Sequence, residues 1–273
     1  MEPPVTPRPA ATTVLLRPGA PLEVFLIKRA VTVQFMGGTH VFPGGRLDDG
    51  DRQVVTDGRI THPNPAQLAA HMGLPAPEAL AFLVAGAREL MEEAGVLLGA
   101  PAPDVEAMRA QLNAKEPFTA ILQRHGVTLD GGSLAYLAHW VTPVIEPRRF
   151  TARFFVTQLP RGQQPVIDAH EAVEGAWMTP RDAVAAHLAG TLSLPPPTLC
   201  ILEGLAAAPS LEHALRGSAT PVVTVEPVFV DDAGTPTLAF PGDVLHPEVN
   251  GVPGAPTRVE LRDGRFVTAS RPR

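Results

Sequence analysis

The sequence predicts an α/β fold. Short apolar runs of strand length recur at 11–17, 24–28, 134–144 and 153–159. Helix-length segments stand between and after them, and 77–94 carries the clearest helical period. From about residue 218 the composition shifts to Val-rich runs broken by Asp-Gly and Pro-Gly turns, which adds a β-rich C-terminal segment.

Taken in order, residues 1–10 are Pro-rich and expected to be loose. Runs 11–17 and 24–28 are separated by Pro18-Gly19-Ala20-Pro21 and read as two hairpin-linked strands. Residues 40–42 form a third short strand, stopped by the turn Pro43-Gly44-Gly45. Residues 46–75 are rich in Asp, Gly, Pro and His, show no period, and read as an excursion loop with a short helix at 66–72. In 77–94, Ala79, Phe82, Leu83, Gly86 and Leu90 fall on one stripe, and Gly86 allows close packing. Residues 104–125 predict one or two further helices. Strands are expected at 134–144, 153–159 and 174–178. Thr179-Pro180 is a helix start, with Thr as N-cap and Pro at the first position, and Gly190 ends that helix. A short helix follows at 198–207, then β segments at 222–230, 237–240 and 259–261.

Hydrophobic residues make up 45% of the 273, ample for a core. The net charge of −6 argues against a nucleic-acid backbone binder. A single cysteine, Cys200, excludes an internal disulfide framework and a Cys-rich zinc site, and the nine histidines lack metal spacing. No apolar run approaches the ~20 residues a membrane span needs. No secretory pattern stands at the start, so a cytoplasmic protein with no membrane partner is expected.

The chemistry is concentrated in Arg88-Glu89-Leu90-Met91-Glu92-Glu93-Ala94-Gly95-Val96. Glu89, Glu92 and Glu93 sit at i, i+3 and i+4, which places three carboxylates on one helix face. Like charges that close repel unless a cation neutralises them, and their oxygens suit a hard divalent ion such as Mg2+ or Mn2+. Arg88 offers a donor fork that can hold one carboxylate, and Gly95 is the expected C-cap.

This run, with Phe42-Pro43-Gly44-Gly45-Arg46-Leu47-Asp48 upstream, resembles the Nudix box, G-x5-E-x7-R-E-U-x-E-E-x-G-U, where U is a bulky aliphatic residue. The second half matches at every specified position from Arg88 to Val96, and the first half at Gly45, with Asp51 in place of Glu. Residues 52–87 fill the place of a seven-residue spacer, and at that distance Asp51 reads as a loop residue. Leu26-Ile27-Lys28-Arg29 and Phe35-Met36-Gly37-Gly38-Thr39-His40-Val41 are similar to the segment preceding the box in Nudix coenzyme A diphosphatases. His139-Trp140-Val141-Thr142-Pro143, Arg148-Arg149-Phe150 and Arg153-Phe154-Phe155 are similar to the mammalian peroxisomal coenzyme A diphosphatases, which also carry a long insertion in the box.

The resemblance implies an α/β/α sandwich around a mixed sheet, with a Nudix domain over 11–215, an insertion over 46–78, and an extension over 216–273. It implies metal-dependent cleavage of a small-molecule diphosphate, with Mg2+ or Mn2+ as cofactor. Coenzyme A or acyl-coenzyme A is the leading substrate. ADP-ribose, NADH and dinucleoside polyphosphates are the alternatives, and a non-catalytic ligand-binding protein is the rival of another class. Glu92 and Glu93 are the first-choice ligands, and Glu89 is a ligand or the base. Glu171 and Glu174, in a loop where several family members carry a helping glutamate, are the other candidates for the base. Gly44 and Gly45 let backbone approach a metal or phosphate, having no Cβ. Arg29, Arg148 and Arg149 are candidates for phosphate binding, and His40 for donation to a phosphate. Trp140 and Phe150 are aromatic candidates for an adenine, with core packing the stronger expectation. Homodimers are common in the family, so a homodimer is an open expectation, with the C-terminal segment as one candidate interface.

Overall fold

In the computed structural model, the residues described are 5–19, 21–31, 36–100, 104–167, 172–217 and 222–271. Glu171 and Phe35 lie outside them.

The centre is a mixed sheet. β1 (Arg8–Arg17) pairs antiparallel with β2 (Glu23–Arg29), which pairs with the short β3 (His40–Val41); β4 (Gly44–Arg46) pairs back onto β1. Residues 8–10 therefore belong to a strand, against the expectation of a loose segment over 1–10: they are held between β4 and the parallel partner of β1 described below. Gly44 and Gly45 likewise lie in a strand rather than a turn, with Gly45 opposite Ala11 and Gly44 opposite Thr12.

The expected excursion loop is largely helical. α1 (Asp49–Thr56) starts with a reciprocal capping box between Asp48 and Asp51, and α2 (Pro65–Met72) starts with the Asn64 side chain capping and Pro at its first position. β5 (Ile60–Thr61) lies between them. Each helix is eight residues long and buries only two or three side chains, too few to impose a visible period. α3 (Ala76–Ala94) follows and ends at Gly95 in the left-handed region, φ 63°. Then come β6 (Gly99–Ala100), α4 (Val105–Asn113), α5 (Phe118–Arg124) and β7 (Thr128–Asp130), so 104–125 is two helices. β5, β7 and β6 form a small second sheet.

β8 (Ala135–Val141) pairs antiparallel with β9 (Phe150–Gln158), and β9 runs parallel to β1 from Arg8 opposite Phe150 to Leu16 opposite Gln158. β10 (Ala172–Met178) closes the far edge on β2. After α6 (Pro180–Ala189), α7 (Pro196–Ala207) and α8 (Leu211–Leu215), β11 (Thr224–Val225) adds to β8, giving the order β10-β2-β1-β9-β8-β11. β12 (Val228–Asp232), β13 (Thr235–Ala239), β14 (Arg258–Arg262) and β15 (Arg265–Ala269) form an antiparallel meander.

Both faces of the main sheet are covered, which gives the three-layer sandwich. Ala11 and Leu15 of β1 join one core with Leu83, Leu90 and Met91 of α3; Val14 and Leu16, one residue out of phase, join the other with Leu199 and Leu202 of α7. α3 sits close on β1 at Gly86, where a Cβ would stand 2.9 Å from Thr13 Oγ1, and that hydroxyl donates to Gly86 O at 3.0 Å.

The C-terminal segment is more than an appendage. Phe240 and Val259 belong to the same core as Val14, Leu26 and Trp140, and the Phe240 ring meets Trp140 edge-on at 5.2 Å between centroids. The expected strand at 222–230 is split, its first part joining the main sheet and its second the meander. β15 was not anticipated: Arg265-Phe266-Val267-Thr268-Ala269 lacks the clean apolar run of the others. Among the described residues, no single helix is long and apolar enough to cross a membrane.

Candidate active site

The acidic helix face meets β4 at the edge of a cleft of about 1560 Å³. Glu89, Glu92 and Glu93 all line it, with Arg29, Gly44 and Gly45. Glu93 is the most enclosed of the three carboxylates, at 4% side-chain exposure. The Gly44 backbone N–H donates to Glu93 Oε2 at 2.7 Å, and an Arg29 guanidinium nitrogen lies 3.9 Å from Glu93 Oε1. Gly45 lies so close to α3 that a Cβ there would stand 2.5 Å from the Glu89 carboxylate. Both glycines therefore act through close backbone approach, one by donating and one by leaving room.

Arg88 is the organiser. Its Nε and Nη2 donate to the two carboxylate oxygens of Asp51 at 2.8 and 3.0 Å, a bidentate pair. Nη2 also donates to Arg46 O at 2.8 Å, and Nη1 donates to Glu89 Oε1 at 2.7 Å and, more weakly, to Glu92 Oε2 at 3.4 Å. Asp51 is therefore not a loop residue. It is fully buried on α1, and the pairing of α1 against α3 spans the 37 positions separating it from Arg88. Asp51 thus holds the arginine of the acidic face, a contact that its distance in sequence hides. Two signals pointed to it: its place six residues after Gly45, and the Asp48/Asp51 capping box. Burial pushes the Asp51 carboxyl up against the opposing pull of Arg88, and burial pushes Glu89 up to about 7, again against Arg88, with Glu92 and Asp51 adding repulsion.

Lys115, in the turn between α4 and α5, reaches Glu92 Oε1 at 3.1 Å. Lys115 and Arg88 therefore both touch Glu92, and no three acidic, His or Cys side chains among the described residues are already gathered as a ligand set. The donor types nonetheless fit a hard divalent cation. Three carboxylates share one face, burial and then repulsion from Glu92 raise Glu89, and Gly45, lacking a Cβ, leaves room for the Glu89 carboxylate.

Two candidates for substrate binding are placed elsewhere. Arg149 is 6% exposed, and its guanidinium donates to Thr142 O, Val5 O and Glu226. It ties the start of β9 to the end of β8, the N-terminal segment and the link between β11 and β12, and it is not among the residues that line the cleft. His40 is half-buried, and Thr39 and Val41 line the cleft while strand alternation turns His40 away. Burial, with Lys28 adding repulsion, pushes its imidazole pKa down. Glu174 is exposed on β10, in register with Lys28 on the far side of β2 from β1. Trp140 is packed against Phe240 in the second core and is 7% exposed.

Comparison with known proteins agrees with this geometry. The model of the NUDT19 Nudix domain family matches residues 56–205, more than half of the chain. The chain belongs to the Nudix hydrolase family. Among solved structures, the Nudix hydrolase of Alicyclobacillus acidocaldarius superposes with a TM-score of 0.69 at 30% identity, covering 79% of this chain and 99% of that one. Human acyl-coenzyme A diphosphatase NUDT19 is 31% identical in an alignment that covers 73% of this chain and 65% of the human protein. The Gallus gallus protein of the same name is 27% identical, over 87% of this chain and 79% of its own. Gly45 and Asp51 precede the matched 56–205, so the Nudix site here is completed by residues upstream of the family match. Nudix hydrolases use divalent metal ions as a rule, which the carboxylate face of α3 suits.

Proposed function

We propose that this Nudix hydrolase cleaves the diphosphate of coenzyme A or its acyl thioesters. Water would add across the P–O–P link to give 3′,5′-ADP and phosphopantetheine or its acyl form. The observation that carries the reading is the joining of the Glu89/Glu92/Glu93 face to one cleft with Arg29, in a chain whose relatives include acyl-coenzyme A diphosphatases.

Glu92 and Glu93 would hold Mg2+ or Mn2+, and Glu89 would serve as a further ligand or as the base that takes the water proton. When bound, the ion offsets phosphate charge and lowers the pKa of water. The chain's own residues do the positioning. Asp51 fixes the Arg88 guanidinium, which orients Glu89 at Oε1, and the Gly44 N–H orients Glu93 at Oε2. Arg29, 22% exposed and 3.9 Å from Glu93, would donate to a phosphate oxygen of the substrate.

The test is a panel of coenzyme A, acetyl-coenzyme A, NADH and ADP-ribose, with Mg2+ or Mn2+ and with chelator, products identified by mass spectrometry. Preferential release of 3′,5′-ADP supports the reading, and preference for ADP-ribose or NADH overturns the substrate while leaving the chemistry. Glu93→Gln is expected to lower kcat by about a hundredfold or more, as loss of several kcal/mol of charge stabilisation implies. Undiminished turnover in that variant would remove Glu93 from the ligand set.

A further inference from the structure

The cleft that opens at the acidic face runs past the family domain. Its lining also includes Trp140 and Phe154 of the main sheet, Leu194 ahead of α7, and Leu238 and Phe266 of the C-terminal meander. The lining joins two chemistries: carboxylates and guanidinium groups from α3 and the strands beside it, and a group of aliphatic and aromatic side chains from the second core and the meander, with Arg265 beside Phe266 as the charge among them. Leu238 and Phe266 pack at the margin of the second core yet keep part of their surface exposed, although burial of that surface is favourable.

This apolar part is also built. His187, 1% exposed, holds both of its sides. The Leu194 N–H donates to His187 Nδ1 at 3.2 Å, which assigns the ring proton to Nε2, and Nε2–H donates to Phe266 O at 2.8 Å. Thr268 Oγ1 donates to Glu203 on α7 at 2.7 Å, fixing β15 a second time. One buried imidazole thus sets the spacing between the Leu194 and Phe266 walls. The volume of about 1560 Å³ exceeds the ~300–1,000 Å³ usual for a drug-sized ligand, so a substrate with two distinct ends is accommodated.

We propose that Leu238 and Phe266 form the wall against which an acyl chain lies, so that the C-terminal meander selects substrates whose diphosphate head is joined to a long apolar tail. The identity of the head rests on the coenzyme A reading; the apolar wall does not. The experiment separates the two. Binding of octyl phosphate and ethyl phosphate to the full-length protein is measured by calorimetry, and kcat/KM is measured for coenzyme A and decanoyl-coenzyme A, in the wild type, Phe266→Ser and Leu238→Ser. Wild type is expected to bind octyl phosphate at least about tenfold more tightly than ethyl phosphate, and each variant to lose most of that preference. The ratio of kcat/KM for decanoyl-coenzyme A to that for coenzyme A is expected to fall about tenfold. Leu238→Trp, which fills rather than empties the cleft, keeps the test open if the Ser variants do not fold: it should move the preferred chain length downward. Equal binding of the two phosphates by wild type, or variants that keep the full preference, overturns the wall. Preference for octyl phosphate without cleavage of any coenzyme A ester keeps the wall and overturns the coenzyme A reading. Cleavage without dependence on chain length does the reverse.

Discussion

At the scale of single residues, the site depends on one buried guanidinium with several carboxylates around it. Arg88 and Asp51 are 8% and 0% exposed, so neither charge is screened by water. Removing one partner from such a pair strands the other, at a cost of about 3–5 kcal/mol. Asp51→Ala is therefore expected to lower stability by about that amount in chemical denaturation, and to lower kcat by releasing the guanidinium that orients Glu89. A variant that melts like wild type would show that Arg46 O and Glu89 hold Arg88 without Asp51. The three glutamates were legible in the sequence because an i, i+3, i+4 pattern is local. Asp51 was not, because its contact crosses 37 positions and depends on how an inserted helix folds back on α3. Arg149 misled for the opposite reason: an arginine beside an aromatic strand looks the same in sequence whether its donors face a ligand or three protein acceptors.

At the scale of elements, two junctions govern function and stability. The first is β4 against α3. A methyl at Gly45 would overlap the Glu89 carboxylate at 2.5 Å, so Gly45→Ala should displace that carboxylate or push β4 off β1. About a tenfold or greater fall in kcat is expected, since small misplacements near reacting groups are costly, together with a circular dichroism spectrum like that of wild type. Unchanged kcat would mean that Glu89 need not stay where it is. The second junction joins β8, β9 and β11 through His139, whose ring nitrogens bond Thr151 Oγ1 at 2.7 Å and Thr224 Oγ1 at 2.9 Å. Burial, helped by the nearby Arg153, pushes this imidazole down to about 4. The unfolded chain takes up a proton below about 6.5 while the folded chain refuses it until about 4. Stability from this group is thus complete above pH 6.5 and declines as pH falls through that window. The slope is at most about 1.4 kcal/mol per unit, reduced because the ring is partly exposed. Melting temperatures between pH 7 and 4.5 should fall less steeply in His139→Gln than in wild type; parallel slopes would remove His139 as the cause. The long strands and α3 were readable from their patterns, whereas α1 and α2 announced themselves only through their caps.

At the scale of the whole molecule, the question is whether the meander is a separate unit or part of one cooperative body. Its internal tie is Arg258, fully buried, whose Nε and Nη2 donate to the two oxygens of Asp243 at 2.7 and 2.5 Å and whose Nη1 donates to Asp232 at 2.7 Å. Asp243 also accepts from Thr257 Oγ1 and the Leu245 N–H. Burial alone would raise the Asp243 carboxyl, but these donors hold it below its ordinary value, so it stays charged. Its external tie is apolar: Phe240 and Val259 share a core with Val14, Leu26, Trp140 and Leu202, which span the main sheet and α7. A sheet that shares Phe240 and Val259 with the main core cannot unfold without exposing that core. Asp243→Ala strands the Arg258 charge and should cost about 3–5 kcal/mol, or roughly 10 °C in melting temperature for a chain of this size. The loss should appear as one calorimetric transition moved down as a whole, with calorimetric and van't Hoff enthalpies in agreement. Two transitions, of which only one moves, would make the meander an independent appendage. One shifted transition instead ties the stability of the meander to that of the Nudix domain.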